Sequence, residues 1–286
     1  MATISDVSII NSNTAEAKAV DSGLERTICS ENLCGSKTLT VYRRTVSDGR
    51  QFEPQSGDDY HLVYVMAAPN GGLIRFNDET HPAEDGAGVL LVPGDSVQFE
   101  ASGSDLELLH MVTPNPPAGV EKELPGGPGY FFNRDTLRVL SDASGGRVRR
   151  FCAESSVRLL DGSRLTQTNA IQAGEMHYHE GGASPYHSHG GTSANPDGAA
   201  HCYMTFKGRG VVEVGDTSEE LEPGTLVYFP PGVPHRLRAH GGALDYFEIQ
   251  AWRSFKTTIY SEEELGLKWY YDPESPDAAR KEWDQS

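Results

Sequence analysis

The sequence predicts an all-β chain of two tandem domains followed by short C-terminal helices. Three observations predict it. Short β-prone runs bounded by turn residues follow one another from Leu62 to Trp252. The 286 residues include 31 glycines and 17 prolines, which suits a fold made of tight turns. One segment also repeats: His61-Leu-Val-Tyr-Val-Met is matched a domain's length later by His201-Cys-Tyr-Met-Thr-Phe.

Taken in order, the first domain is expected over 36–118, with strands at Leu62–Met66, Leu73–Phe76, Val89–Val92 and Leu106–Val112. A connector is expected over 119–150. Its proline- and glycine-rich start, Pro114 to Pro128, breaks regular structure, and Phe132 to Leu140 suits a short helix or strand. The second domain is expected over 151–258, with strands at Met204–Phe206, Val211–Val214, Leu226–Phe229 and Tyr246–Trp252. A helical tail is expected over 259–286. Ser261-Glu-Glu-Glu264 has the form of a capping box, and Pro276 to Trp283 suits a second short helix.

The net charge of −17 excludes nucleic acid and anionic membrane as expected partners, since both need a basic surface. No apolar run has the length of a membrane-spanning helix. Met1 to Asn13 shows no basic start and no cleavage pattern, so a cytoplasmic location is expected, with Cys29, Cys34, Cys152 and Cys202 reduced.

The chemistry concentrates between Gly181 and His235. Gly181-Gly-Ala-Ser-Pro-Tyr-His187-Ser-His189 leads into a glycine-rich insertion, then His201-Cys-Tyr-Met-Thr-Phe-Lys-Gly208, then Gly224 through Pro230-Pro-Gly232-Val-Pro-His235. A His-x-His pair on a strand puts both imidazoles on one face. These segments resemble the two cupin motifs, Gly-x5-His-x-His-x(3–4)-Glu-x6-Gly and Gly-x5-Pro-x-Gly-x2-His-x3-Asn. Three departures stand out. His201 occupies the usual glutamate position, Gly190 to Ala200 lengthens the gap, and Ala239 replaces the final asparagine.

The resemblance implies two tandem cupin domains, each a jelly-roll β-barrel, with a complete ligand set only in the second. Aligning Pro93 with Pro230 places Gln98 where His235 stands, and no His-x-His precedes His61. It also implies a homodimer, since bicupins commonly associate.

The expected metal ligands are His187, His189, His201 and His235, with His201 alternatively a hydrogen-bonding neighbour of the metal. Four neutral imidazoles leave the full divalent charge on the ion, which suits an anionic, chelating small molecule. The ion expected is iron(II), with zinc, nickel, manganese or copper as alternatives. Alternation from His201 turns Tyr203 and Thr205 toward the lumen and Cys202 away. Tyr203 is a candidate catalytic residue and Thr205 a candidate pocket residue. Glu248 shares a face with Tyr246, Gln250 and Trp252, and is a candidate general base if that face is the lumen. His177 and His179 are candidate pocket residues or surface histidines. The insertion is either a gate or a plain loop extension.

Three functions compete. Similarity to histidine-rich cupins implies a dioxygenase acting on an enolisable or aromatic anion. The precedent of decarboxylase-like bicupins and sugar isomerases implies a non-oxidative metalloenzyme. A small-molecule-binding cupin without turnover is the third.

Overall fold

The computed structural model describes residues 2–54, 57–116, 127–141, 146–153, 157–165, 168, 170–193, 195–252 and 256–260, and the backbone of 267–271. The eight expected runs fall on strands Tyr60–Ala67, Gly72–Phe76, Ala87–Leu91, Leu106–Thr113, Ala200–Lys207, Gly210–Val214, Thr225–Phe229 and Leu244–Ala251.

Period-two alternation sorts these strands' side chains between two kinds of core. Leu62 and Tyr64 point one way and Val63 and Val65 the other; likewise Cys202 and Met204 point opposite to Tyr203. The first set packs two seven-stranded sheets back to back. One runs Tyr130–Asn133, Ala87–Leu91, Tyr60–Ala67, Leu106–Thr113, Thr40–Val46, Gly23–Cys29, Lys18–Val20. The other runs Ser8–Asn11, Thr225–Phe229, Ala200–Lys207, Leu244–Ala251, Ile171–Tyr178, Arg147–Cys152, Leu140–Ser141. Between them lie Tyr64, Leu109, Met111, Phe151, Phe247 and Ile249, all buried, each worth about 1.5–3 kcal/mol of transfer free energy. The opposite faces line two barrels, each closed by a smaller sheet.

Each barrel takes an edge strand from outside its expected domain bounds. Ser8–Asn11 pairs with Thr225–Tyr228 in the second barrel, and Tyr130–Asn133 pairs with Ala87–Leu90 in the first. The region before residue 36, expected to lie outside both domains, therefore supplies strands to both. Its four-residue Ser-Ile-Ile-Asn run is too short to stand out by periodicity.

Two expectations change. Gln98 does not take His235's place. Val97, Phe99 and Ala101 point inward, while Gln98 bonds outward to Gln51 and Glu53. Register decides this: Phe99 opposite Ile74 corresponds to Leu237 opposite Val212, so Val97 is the counterpart of His235. A one-residue slip reverses every side chain. The tail also differs. Leu267–Tyr271, within the expected helical region, is a strand on Lys256–Tyr260, which pairs in turn with His187–Gly190. The Trp-Tyr-Tyr run favours that pleated surface. The helix signals at 261–264 and 276–283 lie outside the described residues. Among the described residues the α-helical content is one turn, Glu31–Cys34, and no helix is long and apolar enough to cross a membrane.

Candidate metal centre

The second barrel brings His187, His189, His201 and His235 together. One ligand atom from each lies within 4.8 Å of all the others, and all four residues are buried.

Each is placed by backbone. His187 and His235 exchange backbone hydrogen bonds of 2.9 and 2.8 Å. Gly232 N–H donates to the His189 carbonyl at 2.8 Å, which docks the Pro230–Gly232 turn on the His-x-His strand. That turn needs a left-handed residue, and Gly232 supplies it at φ 80°. His201 sits mid-sheet, opposite Phe229 on one neighbouring strand and Gln250 on the other. Phe229 stacks on the His235 ring, centroids 3.8 Å apart.

The hydrogen-bond pattern fits a metal. His187 Nδ1 meets the Pro185 carbonyl at 2.7 Å, and His235 Nδ1 meets the Val233 carbonyl at 2.8 Å. His189 Nδ1 meets Thr257 Oγ1 at 3.0 Å. A carbonyl can only accept, so in His187 and His235 the proton is committed at Nδ1, the tautomer whose Nε2 lone pair faces the cluster. His201 Nδ1 lies 3.1 Å from His235 Nε2. Burial, reinforced by His201, holds His187 down at about 4, and burial with the neighbouring rings holds His235 well below its ordinary value. Neutral imidazole is the form that ligates a divalent ion, so these residues suit one. Among the described residues this is the group of three or more ligand side chains that converges.

Glu248 faces the same lumen. Its carboxylate pairs with Arg150, and Oε1 lies 3.7 Å from His201 Nε2. Burial alone would raise this carboxyl; Arg150 and the His201 ring outweigh it and hold Glu248 well below the usual carboxylate range. A carboxylate so stabilised is held ionised in the lumen beside His201. The Gln250 amide spans Glu248, His189 and His201 at 3.4 Å each. The Tyr203 hydroxyl lies 3.4 Å from His187 Nε2, and burial raises its pKa far enough to keep it a protonated donor.

Other expected residues stand elsewhere. Thr205 faces inward but is tied by its hydroxyl to the Glu222 and Thr225 carbonyls, at 2.5 and 3.2 Å, bracing a turn. His177 and His179 do not join this pocket. On Ile171–Tyr178, Met176 and Tyr178 face the lumen, so His177 faces the opposite side and pairs with Asp245 at 2.5 Å. His179 is exposed just past the strand end. Cys202 points into the inter-sheet core, its sulfur 3.9 Å from that of Cys29. The insertion is folded on itself: Asn195 is buried and its amide donates to the Gly198 carbonyl at 2.7 Å.

Sequence reasoning missed Arg150 and Thr257. Arg150 carried an available signal, because Arg147-Val-Arg-Arg-Phe-Cys alternates and puts Val148 and Arg150 on one face. Thr257 carried none, since it reaches His189 through a strand that follows the barrel.

Comparison with known proteins agrees with this geometry. The Cupin domain family model matches residues 174–249, which span all four histidines and Glu248. No curated protein sequence matches the chain. Among solved structures, a Pseudomonas aeruginosa protein named for its induction by glyoxylate superposes with a TM-score of 0.68 at 13% identity, covering 87% of this chain and 90% of that one. The oxalate decarboxylase of Lactobacillus farciminis, in its formate complex, gives 0.64 at 11% identity, covering 88% of each chain. A Bacillus subtilis oxalate decarboxylase variant gives 0.64 at 12%, covering 88% of this chain and 78% of that one. At these identities the likeness is one of fold. Residues 174–249 thus match a cupin domain, and the chain as a whole has the fold of two tandem cupin barrels.

Proposed function

We propose that this protein is a metal-dependent enzyme acting on a small anionic, enolisable or aromatic molecule, and that its chemistry is that of a non-haem iron(II) dioxygenase. The observation that carries the reading is the convergence of four buried imidazoles, three with Nδ1 already hydrogen-bonded away from the cluster. Iron(II) held by His187, His189, His201 and His235 would supply Lewis acidity and one-electron chemistry toward dioxygen.

The protein's own groups do the rest. Four neutral ligands leave the ion's charge for an anionic substrate to meet. The Glu248–Arg150 pair sets one wall as a fixed dipole, and its buried carboxylate orients the His201 ring. Tyr203 offers a hydroxyl proton close to His187 without losing it at neutral pH. The Phe229 ring excludes water behind His235.

A second reading is a non-oxidative metalloenzyme, such as a decarboxylase or isomerase. One observation favours it: a carboxylate held ionised beside the cluster supports charge redistribution in a bound anion without an oxidant. The fold likeness to oxalate decarboxylases points the same way.

Elemental analysis of untagged protein, with His187→Ala/His235→Ala as control, tests both. Near-stoichiometric iron lost in the control, with oxygen uptake on a panel of 2-oxo acids and catechols, supports the dioxygenase. Manganese, zinc or nickel with activity that persists under strict anaerobiosis supports the second reading. No metal after anaerobic reconstitution overturns both and leaves a ligand-binding cupin.

A further inference from the structure

A cavity of about 260 Å³ opens on the face of the histidine-bearing sheet turned away from its lumen, at the margin of the contact with the other sheet and beside the turn Arg134–Thr136. Three guanidiniums line it, Arg134, Arg147 and Arg149, against two carboxylates, Glu175 and Asp245. Both carboxylates are already engaged. Glu175 lies 3.6 Å from Arg134 and 3.6 Å from Arg149 and accepts from the Tyr64 hydroxyl. Asp245 is paired with His177. Among the described residues Arg147 has no ion-pair partner, and the buried Nε of Arg149 makes no hydrogen bond. In a chain of net charge −17, spare guanidinium here is a local reversal of sign. Val139 and Phe206 give the remaining wall an apolar surface.

We propose that this cavity binds a small organic carboxylate, with its charged end on Arg147 and Arg149 and its hydrocarbon body against Phe206 and Val139. Guanidinium matches carboxylate geometry through paired N–H donors. The apolar wall separates this ligand from a bare inorganic anion. The ligand does not reach the histidines, because the sheet stands between. Arg149 and Arg150 are consecutive and point to opposite faces, Arg149 to Glu175 and Arg150 to Glu248. The site is therefore an accessory one, independent of the proposed catalysis.

The test is calorimetric titration of the full chain with benzoate, and separately with inorganic phosphate, both metal-loaded and chelator-stripped. Benzoate is expected to bind both forms with equal affinity. Arg147→Gln, at an exposed position, should weaken it by about tenfold or more. Val139→Trp, which fills the cavity without changing charge, should abolish it. Binding that needs metal, binding indifferent to both substitutions, or no binding at all overturns the proposal. Phosphate binding as tightly as benzoate overturns the ligand class.

Discussion

Acidifying the metal-free protein tests the site without any knowledge of substrate. His187 is held at about 4 by burial and by His201, against an ordinary value of 6.5. A depressed histidine favours the fold in its neutral form. Its stabilisation is fully present above about pH 6.5 and is lost as pH falls toward and through 4. At about 1.36 kcal/mol per pH unit, the limit is about 3 kcal/mol, most of which is gone by about pH 4.5. The assay is urea unfolding at a series of pH values between about 7.5 and 4.5, comparing the parent chain with His187→Gln. Glutamine removes the titration and keeps a polar group of similar reach. The parent should lose stability more steeply, with the two curves separating by about 2–3 kcal/mol across the window. The separation includes any relief of His235, which His187 also depresses. Parallel curves would refute the reasoning, because they would mean that His187 is hydrated in the fold and free to charge.

Three further outcomes follow from the same geometry. Arg150→Met strands the Glu248 carboxylate and should destabilise the fold by about 3–5 kcal/mol in urea melts, with Arg150→Met/Glu248→Gln recovering most of the loss. Thr257→Val removes the hydrogen bond to His189 Nδ1 and should weaken metal affinity about tenfold or more in chelator competition, while Thr257→Ser retains it. Gly208→Ala should cost at least about 2 kcal/mol in thermal unfolding, since Gly208 sits at φ 78° and an added Cβ would lie 1.9 Å from the Ala243 carbonyl oxygen.

How much of this was legible depended on whether a feature is local. Alternation places His201, Tyr203 and Thr205 on one side and Cys202 on the other without knowledge of the partner strands, and the structure sorts them so. The His-x-His pair and the Pro230–Gly232 turn are local in the same sense. Glu248 was legible as a position but not as a function. Its face follows from alternation, whereas its proton affinity depends on Arg150, 98 residues away in sequence. His177 mimicked the metal pair because two residues cannot tell which side of a strand faces in; only Met176 and Tyr178 in the lumen core decide it. Gln98 misled through a loop. Matching prolines across two turns fixes register only if both turns hold the same number of residues before the next strand, and here they differ by one.

The two barrels show why a shared fold does not mean a shared site. In the first, His61 lies opposite Leu91 and Val112, as His201 lies opposite Phe229 and Gln250 in the second. His110 opposite Val63 likewise occupies the position of Glu248 opposite Tyr203. The first barrel thus keeps two buried imidazoles at the same wall, and they meet each other, His61 Nδ1 to His110 Nε2 at 2.9 Å. Arg44, itself paired with Glu25, donates to His110 Nδ1 at 3.0 Å, so both nitrogens of that ring are engaged within the protein. Val97 stands in for His235, and Phe99, Ile74 and Leu91 fill the lumen. The apolar plug leaves the first barrel without the converging ligands that His187, His189, His201 and His235 supply in the second. The difference between a metal centre and a packed core therefore rests on a handful of inward positions, and the strands that carry them pair in the same register.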